Sequence, residues 1–158
     1  MPTIHLETII NADIQTCFDL SRSIDLHQIS TVKTNEKAIA GITSGLINLN
    51  NTVTWVAVHF GIKQELTSII SAFNSPTHFR DEQQKGAFKY FIHNHYFKIQ
   101  DGKVIMTDTF EFSSPYGIIG KLFDKFILTN YMRSFLIERN QVIKEYAETD
   151  KWKLILNS

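Results

Sequence analysis

Asp101-Gly102 separates two runs of alternating apolar and polar residues, Tyr90 to Gln100 and Lys103 to Phe112, and this dipeptide between such runs is a strong hairpin signal. A two-residue loop fixes the register of both strands. Gln100 then faces Lys103, Ile99 faces Val104, Phe97 faces Met106, His95 faces Asp108, His93 faces Phe110 and Phe91 faces Phe112. Apart from two histidines and one aspartate this set is apolar toward its far end. The other face carries Lys98, Tyr96, Asn94, Ile92 and Tyr90 against Ile105, Thr107, Thr109 and Glu111, and is the wetter side. His93, His95 and Asp108 are therefore expected to point inward. Directly opposed residues have Cβ atoms about 5 Å apart, which puts His95 and Asp108 within hydrogen-bonding reach.

The rest of the chain supplies a sheet for this hairpin. Thr3 to Ile10 alternates as a strand and stops at Asn11, which is placed to cap a helix with the stripe Ile14, Cys17 and Phe18. A second short helix starts at Ser23 and covers Ile24 to Ile29. From Ala38 the period changes: runs rich in Val, Ile, Thr and aromatics are broken at residues 45–51, Gly61, Asn74-Ser75-Pro76, Lys85-Gly86 and Asp101-Gly102. Six strands with short connections make an antiparallel meander. A hairpin at Gly61 turns Val53, Trp55, Ala57 and His59 inward beside Leu66, Ser68 and Ile70. A two-residue loop at Lys85-Gly86 sets Arg80 opposite Phe91 and Glu82 opposite Lys89, which brings Arg80 and Glu82 to the inner face. After Pro115-Tyr116-Gly117, residues Leu122, Phe126, Met132, Leu136 and Ile143 recur at helical spacing. A helix from Gly120 to Ala147 is roughly 40 Å long, enough to cross the sheet. Lys121, Lys125, Arg133, Arg139 and Lys144, with Asp124, Glu138 and Glu145, read as its solvated face.

Composition bounds the classes of function. A chain of 158 residues has the volume for one core, so 1–149 is expected to be a single domain and 150–158 an apolar C-terminal tail. That tail, Trp152-Lys153-Leu154-Ile155-Leu156, is expected to dock on its own domain, with a homodimer contact or a membrane protein as the other partners open to it. Sixteen Lys plus Arg balance sixteen Asp plus Glu, which argues against a nucleic-acid partner. The single Cys17 excludes an internal disulfide and a cysteine-rich zinc site. No apolar run reaches the length of about 18 residues that a membrane span needs, and the N-terminus lacks a signal-peptide pattern, so a cytoplasmic protein is expected. Twelve Phe and 43% hydrophobic residues are enough to line or fill a large apolar space.

The order strand, two helices, six antiparallel strands and long C-terminal helix resembles the helix-grip fold of the START-related superfamily (SRPBCC), which also contains polyketide cyclases and dehydrases and the birch-pollen allergens. Several local segments look like a bacterial subgroup of small ligand-binding or cyclase-like proteins within it. They are Asp25-Leu26-His27, Gly41-Ile42-Thr43-Ser44-Gly45-Leu46, Trp55 with His59-Phe60-Gly61, Asp81-Glu82-Gln83, His93-Asn94-His95-Tyr96-Phe97, Met106-Thr107-Asp108 and Pro115-Tyr116-Gly117. The resemblance covers essentially the whole chain. It implies an α+β protein whose seven-stranded antiparallel sheet wraps a long C-terminal helix, with two short helices after the first strand. It also implies an apolar cavity between sheet and helix, with an entrance beside the helix's N-terminal end.

The expected function is binding of a hydrophobic or amphipathic small molecule, such as a lipid, by a carrier or sensor. The sheet would contribute Trp55, His59, Glu82, Phe91, His93, His95, Phe97, Met106, Asp108, Phe110 and Phe112, and the helix Leu122 and Phe126. Two other classes stay open: a cyclase- or dehydratase-like enzyme with His95 as acid or base oriented by Asp108, and a protein-interaction module. His93-X-His95 is also a spacing used by metal sites. His59 lies three strand spacings from it, about 14 Å, so Asp108 or Glu82 would have to complete a set. No metal or other cofactor is expected.

Overall fold

The computed structural model describes residues 2–157. Strand β1 (Thr3–Ile10) is followed by helices α1 (Ile14–Ser21) and α2 (Ile24–Ser30) and a single 3-10 turn at Val32–Thr34. Six strands come next: β2 (Lys37–Gly41), β3 (Thr52–His59), β4 (Ile62–Asn74), β5 (His78–Lys85), β6 (Tyr90–Gln100) and β7 (Lys103–Ser113). The chain closes with α3 (Gly117–Phe123), a π turn at Asp124–Leu128, α4 (Thr129–Glu148) and α5 (Trp152–Leu156). All seven strands form one antiparallel sheet in the order β1-β7-β6-β5-β4-β3-β2. The helices α1 and α2 carry the chain from one edge strand, β1, to the other, β2.

The β6–β7 register is the one the Asp-Gly turn dictates, with His95 opposite Asp108 and Phe91 opposite Phe112. Asp101 (φ 53°) and Gly102 (φ 75°) both take the left-handed conformation of a tight hairpin turn. Phe60 (φ 53°) and Gly61 (φ 74°) do the same between β3 and β4, so Val53, Trp55 and Ala57 are buried on the inner face. The β5–β6 register differs from expectation. The connection contains residues 86–89 rather than two residues, and Arg80 pairs with Asn94, not Phe91. An odd offset exchanges the two faces of a strand. Phe79 and Asp81 therefore point inward, opposite His95 and His93, while Arg80 and Glu82 point out.

Helix α1 starts two residues beyond the expected cap. Asp13 is the N-cap, its carboxylate accepting from the Thr16 N–H at 3.0 Å, and the Asn11 N–H instead donates to Glu148 at 2.9 Å. Ser23 caps α2 through the Leu26 N–H at 3.1 Å. The buried face of α1 drives Phe18 into the sheet, where its ring meets Phe73, Phe79 and Phe97 edge-on at 5.4, 5.5 and 5.4 Å. Cys17 beside it is fully buried, and burial first, with Asp13 and Glu148 nearby, pushes its thiol up to about 12. It is a packing residue with no thiolate to offer. Trp152, Ile155 and Leu156 of α5 lie partly buried against this same core.

The long helix differs from a plain α-helix in one respect. At the π turn the Thr129 N–H donates to the Asp124 carbonyl, five residues back, which inserts one extra residue into the spiral. The turn is anchored: the Thr129 hydroxyl also donates to the Asp124 carbonyl at 2.6 Å, and the buried Asp124 carboxylate accepts from the Ser114 N–H at 3.0 Å and from the Ser114 hydroxyl. One extra residue rotates everything N-terminal to it by about 100°. Leu122 and Phe126, which simple periodicity aims at the sheet, are instead 52% and 64% exposed; Phe123 and Leu128 take the inward side, and the exposed Ile127 borders the cavity. Gly120 holds the start of this helix close to the preceding loop, where a Cβ would sit 2.0 Å from the Pro115 carbonyl oxygen. Helix propensity alone makes Gly120→Ala stabilising by up to about 1 kcal/mol. The clash reverses the sign, and chemical denaturation is expected to show a loss of roughly 1–3 kcal/mol.

Candidate functional site

A cavity of about 660 Å³ lies between the concave face of the sheet and the helix. Its wall is mostly apolar, with Trp55, Leu66, Phe91, Phe110, Met132 and Phe135 prominent. Exposed lining residues gather on three loops at one end: Phe60 and Ile62 flank Gly61, Ala87 follows Gly86, and Tyr116 and Ile119 open α3. That end is the mouth. At the inner end the wall becomes polar, with Asp81, His93, His95 and Arg139.

Of the residues expected at this site, Trp55, His59, Phe91, His93, His95 and Phe110 line the cavity. Asp108 does not: it stands behind the histidines with no exposed surface. Phe97 and Met106 lie further along their strands and are covered by α1, where the Ser21 hydroxyl donates to the Met106 sulfur at 3.4 Å. Phe112 is fully buried against Phe88 and Phe110. Glu82 is on the outer face, accepting from the Ser71 hydroxyl at 3.0 Å with Arg80 at 3.5 Å. Leu122 and Phe126 are turned away by the π turn. Phe79, Asp81, Phe123, Ile127 and Tyr131 occupy the positions these residues leave.

Arg139 is a further correction. It is buried, not part of a solvated helix face, and with Asn140 it meets the sheet at Asp108. Asp108 Oδ1 accepts from His93 Nε2 at 2.8 Å, and Oδ2 accepts from Asn140 Nδ2 at 2.7 Å. Arg139 Nη1 lies 3.6 Å from Asp108 Oδ1 and donates to Asn140 Oδ1 at 3.0 Å, while Nη2 donates to the Ser21 carbonyl at 3.1 Å. His95 Nε2 donates to Asp81 Oδ2 at 3.1 Å. Its Nδ1 is 3.2 Å from Asp108 Oδ1 but misaligned, and it is a buried nitrogen with no hydrogen-bond partner. The His95 ring is sandwiched between Phe79 at 4.1 Å and His93 at 3.8 Å.

The electrostatics follow from this geometry. Burial lowers the His93 imidazole to about 4, assisted by the neighbouring His95 and opposed by Asp108, so it is neutral at pH 7. Burial alone would raise Asp108, but the hydrogen bond from His93 and the His95 ring beside it hold the carboxyl well below its usual range. Asp81 is lowered likewise: burial is the largest single influence and raises it, but the His95 hydrogen bond together with the neighbouring His93, His95 and Arg139 outweighs it. Nearer the mouth, burial lowers His59 and raises Tyr131, so a neutral imidazole Nδ1 accepts from the Tyr131 hydroxyl at 2.6 Å. Asp81, His93 and His95 each offer one ligand atom, and the three atoms lie within 4.8 Å of one another. This is the group among the described residues whose side chains are arranged to close on a metal ion.

No family model matches the chain, and no curated protein matches it. Solved structures do. A protein of Thermus thermophilus superposes with a TM-score of 0.70 at 16% identity, covering 90% of this chain and 97% of that one. Major latex-like protein 151 of Panax ginseng gives 0.68 at 13%, covering 94% and 98%. A protein of Chromobacterium violaceum gives 0.69 at 10%, again covering 94% and 98%. The chain shares a helix-grip fold with these structures, as the element order implies. None of the described helices is long and apolar enough to cross a membrane.

The depressed His93 gives stability a defined pH dependence. Between the unfolded value near 6.5 and the folded value near 4 the unfolded chain binds the extra proton, so the His93 contribution is complete above pH 6.5 and is lost as pH falls to 4. Asp108 adds a second loss below about pH 4. Denaturant titrations in chelator-containing buffer are expected to show a fall on the order of 3 kcal/mol across the first window. His93→Gln is expected to remove most of that slope.

Proposed function

We propose that the protein binds a hydrophobic or amphipathic small molecule in this cavity, as a carrier or sensor. The observation that supports this reading is the cavity itself. Its volume of about 660 Å³ is within the roughly 300–1,000 Å³ of small-molecule sites, and its wall is aromatic and aliphatic with polar groups gathered at the inner end. A ligand entering past Phe60 and Tyr116 would lay its apolar body against Trp55, Leu66, Phe91 and Phe110. Each methylene it buries is worth about 0.8 kcal/mol. Its polar end would reach Asp81, His95 and Arg139.

An acid–base reading of the same cavity has one observation in its favour, the His95–Asp81 hydrogen bond at the wall. The partner expected from strand pairing, Asp108, is occupied by His93 and Asn140 and would serve as a positioning residue. Native mass spectrometry of the gently purified protein, against its denatured mass, tests binding directly. An organic mass that leaves on denaturation is expected. Ser68→Phe, which projects a ring from β4 into the cavity, is expected to cut occupancy at least tenfold while the protein still melts cooperatively. Full occupancy in that variant would place the ligand elsewhere and overturn the reading.

A further inference from the structure

The inward turn of Asp81 creates a constellation that the alternation along β6 alone does not suggest. His93 and His95 stand on one face of β6, two residues apart, and Asp81 on β5 pairs directly with His93. The side chains offer two imidazole nitrogens and a carboxylate oxygen, all within 4.8 Å of one another, at the wall of the cavity. We propose that Asp81, His93 and His95 bind a divalent transition-metal ion at the inner end of the cavity, with Asp108 positioning both imidazoles from behind.

Three observations beyond proximity carry this. The first is the outer carboxylate. A metal-bound histidine characteristically donates its other ring N–H to a carboxylate or carbonyl, which fixes ring and tautomer. Asp108 Oδ1 faces both rings at once, 2.8 Å from His93 Nε2 and 3.2 Å from His95 Nδ1, and is itself held by Asn140. With its proton given to Asp108 through Nε2, His93 has Nδ1 free as a ligand.

The second is the orphaned nitrogen. His95 donates from Nε2 to Asp81, which leaves Nδ1 buried and unpaired. An ion seated between Nε2 and Asp81 requires that nitrogen deprotonated and moves the ring proton to Nδ1, where Asp108 is the acceptor. A small rotation of the ring then gives the otherwise unsatisfied nitrogen a partner, since Asp108 Oδ1 is 3.2 Å away. The third is charge: two carboxylates, Asp81 and Asp108, meet one guanidinium, Arg139, at this end of the cavity.

Two imidazoles and one carboxylate suit zinc, cobalt or ferrous iron rather than calcium or magnesium. Three protein ligands also leave a coordination position open, and the cavity is the space it would face. The site is independent of the identity of any organic ligand, so metal binding and cavity occupancy are separable measurements.

Cobalt(II) titration of the tag-free full-length protein, stripped with chelator and dialysed, tests the proposal. One equivalent of Co²⁺ is expected to produce a visible absorption band that Zn²⁺ displaces. Asp81→Asn and His95→Gln are expected to weaken binding at least a hundredfold, and His5→Gln, on an exposed strand position, to leave it unchanged. Asp108→Asn is expected to cost about 10–100-fold while the band persists at shifted wavelength, as a positioning residue should. Absence of a stoichiometric band in the wild-type protein, or an undiminished band in Asp81→Asn, overturns the proposal. Asp81 is 23% exposed and its replacement by Asn is nearly isosteric, so that variant decides the matter even if His95→Gln fails to fold.

Discussion

Asp108 has no exposed surface, and a carboxylate in that position is tolerable only because His93, Asn140 and Arg139 surround it with donors. His93 reaches it from β6, Asn140 from α4, and Arg139 lies at 3.6 Å with its other nitrogen tied to the carbonyl at the end of α1. The tie fixes where the long helix crosses the sheet. Replacing any one donor leaves a buried charge short of partners, so the geometry is specified by penalty as much as by attraction. The same cluster separates the interior into two apolar regions, one around Phe18, Phe97 and Met106 under α1, the other around Phe91, Phe110 and Phe112 under the C-terminal helix. In the first, Phe18, Phe97 and Met106 lie away from the cavity, while Trp55, Ile70 and Phe79 line it. The second borders the cavity.

This division explains which site residues were legible from alternation and which were not. Period-two patterning identifies the face a residue shares, and it correctly placed Phe97, Met106 and Phe112 on the concave side. It carries no information on which helix covers each stretch of that face, so residues under α1 look the same as residues open to the cavity. The β6–β7 register was legible because Asp101-Gly102 admits one turn geometry. The β5–β6 connection carries no such constraint: Gly86-Ala87-Phe88-Lys89 is read as easily as a tight turn and extra strand, and an error of odd length exchanged Glu82 for Asp81.

Arg139, Asn140 and the N-terminal part of the helix were missed for two different reasons. Leu136 and Ile143 bracket positions 139 and 140 on one helical stripe, a signal that was present in the sequence, but charge argued for solvent. Burial of Arg139 depends on a carboxylate donated by a strand far away in sequence. The π turn has no comparable pattern. It is held by Ser114, Asp124 and Thr129 through contacts that form only when the loop before α3 folds back on the helix.

The β5–β6 loop has an evolutionary consequence. Residues 86–89 lie at the cavity mouth and mostly in solvent, where insertions and deletions are tolerated far better than in a strand. Yet the parity of that loop decides whether Asp81 or its neighbours Arg80 and Glu82 look into the cavity. A lineage with this scaffold can exchange an acid for a guanidinium at the cavity wall by gaining or losing a single loop residue, with no substitution in the sheet. Chemical diversity among such chains is therefore to be sought in loop length as well as in residue identity at aligned positions.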